Sequence, residues 1–181
     1  LRKYLDCEHR VWMDLHGDAA RKDPVSAVQQ LLFDEGLLHE RQLVERAART
    51  TPIVDLSELS GDAKEAATRD GAAKGAPLIY QGRLSADNLV GEPDLLRREA
   101  GGYTPIDIKS SSALEDDGGP KLKYGAQIAL YVELLERNSL SAGPYGYVWD
   151  RNGDEIRYEL DAPLTEDPGI TLRSKYRALL R

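Results

Sequence analysis

The sequence predicts a mixed α/β domain: a central mixed sheet flanked by helices, behind an N-terminal helical region. Three observations predict it. Apolar residues recur at helical spacing along residues 1–70, and after Gly75 the texture changes to short apolar runs parted by glycine-bearing turns. One strong helical pattern, residues 121–137, then interrupts the strand runs. Helices, a strand meander, a helix and more strands, in that order, make a sheet with helices packed on it.

Residues 1–22 read as a helix or loop–helix carrying Leu5, Val11, Trp12 and Leu15 and closing near Gly17-Asp18. Asp23-Pro24 is a helix-start signal, with Asp23 as N-cap and Pro24 in the first turn. The helix it opens is expected to run to about Arg49, with Val28, Leu31, Leu32, Leu38 and Val44 inward. Residues 57–70 read as a further helix starting at Ser57. Strands are expected over residues 78–81, 84–90, 92–98 and 103–109, then a polar, glycine-rich loop over 110–120. After the helix at 121–137, residues 145–150 and 155–160 form a hairpin around Asn152-Gly153. A final helix is expected over 170–180.

Chain length suits one domain over residues 1–181: a mainly helical part (1–75), the sheet with its hairpin and helix (76–160), and a C-terminal helix (161–181). The chain opens on Leu1, which leaves room for a longer parent protein. No apolar run reaches the roughly 18–20 residues of a membrane helix, and no leader pattern is seen, so no membrane partner is expected. The single cysteine, Cys7, cannot form an internal disulfide and is expected as a small buried hydrophobe in a cytoplasmic protein. A net charge of −7 argues against nucleic-acid binding by the whole surface, though not against a local track from Arg97, Arg98, Lys109, Lys121 and Lys123.

The most informative stretch runs from Gly91-Glu92-Pro93-Asp94 to Asp107-Ile108-Lys109. A turn centred on Ala100-Gly101 sets a register in which Asp94 lies across from Asp107. Side chains alternate along a strand, so Asp107 and Lys109 share a face while Ile106 and Ile108 point into the core. Opposed residues have Cβ atoms about 4.5–5.5 Å apart. Two carboxylates so placed repel, and a hard divalent cation such as Mg²⁺, which prefers oxygen ligands, relieves the repulsion. An Asp-x-Lys alone is more often a surface salt bridge; the opposed Asp94 sets this one apart. In the helix that follows, Gln127 and Tyr131 share one face, and Ile128, Val132 and Leu135 another. In the helix begun at Pro24, Gly36 would admit a close backbone, His39 is a lone imidazole, and Glu35 and Glu40 are alternative acidic contributors.

These elements together resemble the PD-(D/E)xK nuclease superfamily, specifically its RecB-like branch, which includes nuclease domains of recombination helicase-nucleases and CRISPR-associated exonucleases. The matching order is His39, then Gly91-Glu92-Pro93-Asp94, then Asp107-Ile108-Lys109, then Gln127-Ile128-Ala129-Leu130-Tyr131. The resemblance implies a restriction-endonuclease-like fold. It implies metal binding by His39, Asp94, Asp107 and the Ile108 carbonyl, with Mg²⁺ or Mn²⁺. It implies catalytic roles for Asp94, Asp107 and Lys109, the lysine assisting the water nucleophile and the developing charge. Gln127 and Tyr131 would position the DNA strand or the lysine, and Lys121 and Lys123 would meet nucleic acid. Some relatives carry a four-cysteine iron–sulfur cluster; no cysteine follows Tyr131, so no cluster is expected.

The function so implied is hydrolysis of DNA phosphodiester bonds, by an exonuclease acting on single strands or ends in repair or recombination, with a helicase partner or fused domain. The alternative is an inactive DNA-binding or assembly module of the same fold. A two-carboxylate glycosidase fits worse, because Lys109 and only three nearby aromatics, Tyr103, Tyr124 and Tyr131, suit a phosphate better than a sugar cleft.

Overall fold

The structure is a computed structural model and describes residues 7–180. Helix α1 (Glu8–His16) closes where Gly17 N–H donates to the Met13 carbonyl at 2.9 Å. Leu5, expected on this helix, lies outside the described residues. Cys7 precedes α1 and is exposed, which corrects its expected burial; Trp12, Met13 and Leu15 of α1 are exposed as well.

Helix α2 (Ala27–Ala48) starts later than Asp23-Pro24 would have it. Ser26 is the cap: its Oγ accepts from Gln29 N–H at 3.2 Å, and Gln29 Oε1 accepts from Ser26 N–H at 3.0 Å. This reciprocal box satisfies two otherwise orphaned donors, more than a lone aspartate offers. The expected inner side of α2 is also corrected. Val28, Leu31, Leu32 and Leu38 are exposed, whereas Val44 packs against the sheet as expected, together with Leu43. Periodicity tells which residues share a face; here the sheet reaches only the second half of that face.

Strand β1 (Ile53–Asp55) interrupts the helical part and was not expected; three residues carry too little pattern to signal a strand. Helix α3 (Gly61–Ala73) begins after Ser60 rather than at Ser57, whose N–H is taken by Asp55 Oδ1 in the turn after β1. Strand β2 (Leu78–Tyr80) follows. The expected strand at 84–90 is a hairpin, β3 (Leu84–Ala86) and β4 (Leu89–Gly91), folded at Asp87 with φ of 51°. Aspartate tolerates that left-handed conformation, so Asp87-Asn88 is turn chemistry inside an apolar run.

Strands β5 (Leu95–Glu99) and β6 (Gly102–Ile108) form the hairpin read from the sequence. Helix α4 (Leu122–Arg137), the hairpin β7 (Tyr145–Trp149) and β8 (Glu155–Glu159), and helix α5 (Leu172–Leu179) complete the chain. The six-stranded sheet runs β1-β2-β5-β6-β7-β8. Its parallel pairs, β1/β2 and β6/β7, are joined through α3 and α4, and its other pairs are antiparallel. The expected fold class is therefore the observed one.

Helix α4 buries Ile128, Val132, Leu134 and Leu135 against one sheet face, where Ile79, Leu96, Tyr103 and Val148 meet it. Gly125 lets α5 come close, since a Cβ there would stand 2.5 Å from Leu172. On the other face Leu95, Ile106 and Ile108 pack with Leu43 and Val44 of α2. Alternation along β6 thus turns Asp107 toward the α4 side. Among the described residues no helix is long and apolar enough to cross a membrane.

Candidate active site

The β5/β6 register is the one set by the Ala100-Gly101 turn: Arg98 faces Tyr103 and Leu95 faces Ile106. Gly101 has φ of 96°, a conformation that favours glycine. The ladder ends at Leu95, one residue after Asp94. The Asp94 carbonyl accepts from Gln81 N–H at 2.8 Å, which fixes its backbone against the end of β2. Its side chain crosses to β6, where Oδ2 accepts the Ile108 N–H at 2.6 Å.

Asp107 is 1% exposed and forms an ion pair with Lys109, whose side chain is 12% exposed. Lys109 N–H donates to the Trp149 carbonyl at 2.8 Å, so β7 sets the depth of the lysine. Burial first, then the Asp107 charge, then Glu40, hold the Asp94 carboxyl well above its ordinary range; Lys109 and the Ile108 N–H work against them. Two carboxylates raise each other's cost of ionisation, and Lys109 supplies only one compensating charge. Hard oxygen donors with uncompensated negative charge fit a divalent cation.

Glu40 is the acidic residue that α2 brings to this end of the sheet; Glu35 is exposed. Glu40 Oε1 accepts from Tyr80 Oη at 2.9 Å and from Gln81 Nε2 at 3.0 Å. Burial, then Glu40, then the charges of Asp94 and Asp55 push the Tyr80 hydroxyl above its ordinary range. Gln81 adopts φ of 52°, an uncommon conformation for a residue with a side chain. His39 has a different partner: its Nε2 lies 3.1 Å from the Asp150 carbonyl, which can only accept, so the ring donates. Among the described residues no three His, Cys, Asp or Glu side chains form a ready-made metal cage. Gly36 meets the Ser110 side chain, 3.8 Å from an added Cβ, where a close backbone was expected.

Gln127 and Tyr131 come together on the Asp107 side of the sheet. Gln127 Nε2 donates to Tyr131 Oη at 2.7 Å, and Tyr131 Oη donates to the Glu92 carbonyl at 3.1 Å. The Tyr131 ring lies against Gly91, where an added Cβ would stand 2.9 Å from it. The pair thus braces the turn that delivers Asp94. Gln127 Oε1 is buried with no hydrogen-bond partner among the described residues.

Three lysines gather around the Tyr124 ring: the Nζ atoms of Lys109, Lys121 and Lys123 lie 5.8, 6.0 and 5.5 Å from its centre. Tyr124 Oη is 2.7 Å from Ser111 Oγ, tying the ring to the polar loop. The two arginines of the expected basic track are elsewhere. Arg97 pairs with Glu99 and Glu155 on the α2 side, and Arg98 donates to the Gly75 carbonyl. A cavity of about 400 Å³ beside Leu43, Arg46, Arg97 and Trp149 also lies on the α2 side and is lined by none of Glu40, Asp94 and Asp107.

Sequence reasoning missed Tyr80, Gln81 and Tyr124. Only Tyr124 carried a signal, an aromatic following two lysines, Lys121 and Lys123, at a helix start. No curated protein matches the chain significantly. A family model described as the PD-(D/E)XK nuclease superfamily matches residues 5–178. Its members are generally nucleases, typically using divalent metals such as Mg²⁺. Matched over nearly its whole length, and with two aspartates and a lysine meeting at one end of a mixed sheet, the chain belongs to the PD-(D/E)XK nuclease superfamily.

Proposed function

We propose that the chain is a divalent-metal-dependent exonuclease that hydrolyses DNA phosphodiester bonds, acting on single strands or ends in repair or recombination. We place it in the RecB-like branch, with a helicase partner or fused domain and a cytoplasmic location. The observation that carries the reading is the Asp94–Asp107 pair with Lys109 beside it.

Asp94, Asp107 and the Ile108 carbonyl are the proposed holders of Mg²⁺ or Mn²⁺, with Glu40 as the nearby carboxylate; the metal, when bound, supplies a Lewis acid and a more acidic water. Lys109, on the same face as Asp107, offers its ammonium to a water or to a charged phosphoryl oxygen. His39 anchors α2 through Asp150. Gln127 and Tyr131 hold the Gly91–Asp94 turn in place. Lys121 and Lys123 give a net-negative protein a local attraction for the backbone of nucleic acid.

The test is cleavage of end-labelled single- and double-stranded DNA with Mg²⁺, Mn²⁺ or EDTA. Metal-dependent shortening from an end, lost in Asp107→Ala, is expected. Equal cleavage by that variant overturns the site assignment. DNA binding without turnover, in any metal, favours an inactive binding module of the same fold.

A further inference from the structure

Glu92, two residues before Asp94, is held by two cations from separate elements. Lys64 of α3 reaches Glu92 Oε2 at 3.4 Å, and Arg83, between β2 and β3, reaches Glu92 Oε1 at 2.7 Å. The exposures are inverted from an ordinary surface pair. The Lys64 side chain is 6% exposed, and that of Glu92 is 43% exposed. Burying an ammonium is expensive unless its donors are used, and one carboxylate oxygen at 3.4 Å uses them poorly. Arg83 Nε is also buried with no hydrogen-bond partner among the described residues. The cations are thus fixed and under-used, while their anion is the part free to rotate into solvent. Glu65, the other acid near Arg83, is engaged by Ser85 and Arg69.

Position in the sheet gives this cluster its meaning. Arg83 follows β2 and Lys64 lies on α3, which packs on β2; Asp94 and Asp107 lie at the site end of β5 and β6; Lys121 and Lys123, around Tyr124, lie beside β7 and β8. The two groups of cations therefore stand on opposite sides of the carboxylates. We propose that Lys64 and Arg83 are a second phosphate-backbone contact for the nucleic-acid substrate, masked in the free protein by Glu92, which a substrate phosphate displaces. This rests on the nuclease reading above. A phosphodiester oxyanion offers the same charge as the Glu92 carboxylate, and an arginine fork with a lysine suits it. Phosphates on both flanks would fix the strand across the aspartates.

The test is equilibrium binding of a labelled single-stranded oligonucleotide in EDTA, across a salt series, by wild-type, E92Q, K64M and R83Q. Unmasking predicts several-fold tighter binding by E92Q. It predicts weaker binding by R83Q and K64M, with the slope of log affinity against log salt reduced by about one for each lost contact. Thermal melts identify variants that are merely unfolded, and R83Q, whose side chain is partly exposed, keeps the test open should K64M fail to fold. Wild-type binding with an unchanged slope in folded R83Q, or no gain in folded E92Q, overturns the masked contact and leaves the nuclease reading standing. Absence of any nucleic-acid binding by the wild type, together with no cleavage, overturns both.

Discussion

Asp94 Oδ2 accepts the Ile108 backbone N–H at 2.6 Å, one step beyond the last paired residues of the β5/β6 hairpin. The bond continues the hairpin after its ladder has stopped, using a side chain where the next strand residue would be. It also aims one carboxylate toward Asp107, on the strand the other aspartate occupies. The site is therefore set by hairpin register, and its electrostatic cost is built in with it.

That cost predicts a stabilising active-site substitution. The Asp94 carboxyl is held well above its ordinary value of 3.8, chiefly by burial and Asp107. Between 3.8 and the raised value the folded state binds more protons than the unfolded state, so stability falls as pH climbs through that window. Asp94→Asn removes the charge and keeps an oxygen for the Ile108 N–H. In EDTA its melting curve should match wild type at pH near 3 and exceed it at neutral pH, by about 0.5–2 kcal/mol. Its metal-dependent cleavage should be lost. A variant less stable than wild type at neutral pH would contradict the carboxylate repulsion.

Two glycines of the same region should respond differently to alanine. At Gly91 an added Cβ meets Leu134 at 2.8 Å and Tyr131 at 2.9 Å, so Gly91→Ala must push α4 or the Asp94 turn aside. Overpacking of this kind costs about 1–3 kcal/mol, and activity should fall with it. At Gly101 nothing lies within 4 Å of an added Cβ, but φ is 96°. Gly101→Ala should cost about 1 kcal/mol of backbone strain and leave cleavage intact. Denaturant melts alongside a cleavage assay decide both.

The hairpin was legible because its information is local. Ala100-Gly101 sets the turn, alternation sets the faces, and the pairing of Leu95 with Ile106 follows. The Gln127–Tyr131 contact was legible as a shared helix face, but its acceptor, the Glu92 carbonyl, was not. Glu40 with Tyr80 joins residues far apart in the chain, and neither carries a pattern that names the other. The apolar stripe of α2 misled for a related reason. Spacing groups Val28, Leu31, Leu32 and Leu38 on one face, but only the extent of the sheet decides whether that face is covered.

The two neighbours on α2, His39 and Glu40, should separate in a metal titration. His39 spends Nε2 on the Asp150 carbonyl, whereas Glu40 adds negative charge next to Asp94. His39→Ala should cost about 1 kcal/mol through the lost bond, with Mn²⁺ affinity nearly unchanged by calorimetry. Glu40→Gln should keep an acceptor for Tyr80 and Gln81 yet bind Mn²⁺ more weakly. The opposite pattern, a large metal defect in His39→Ala alone, would assign the imidazole to the metal and the arrangement with Asp150 to the metal-free state.

Tyr131 tests whether the Gln127–Tyr131 pair braces the site or touches DNA. Its hydroxyl donates to the Glu92 carbonyl and accepts from Gln127, so one oxygen holds the turn before Asp94 to α4. Tyr131→Phe keeps the ring that packs on Gly91 and removes only that oxygen. Two part-buried polar groups then lose a partner, at about 1 kcal/mol. If the pair is a brace, stability and kcat fall together while DNA affinity in EDTA holds, because the turn drifts but no substrate contact is lost. Gln127→Leu should then add little in the double variant, since both changes break one network. If Tyr131 instead contacts the strand, affinity and KM worsen, stability is nearly unchanged, and the two substitutions combine additively.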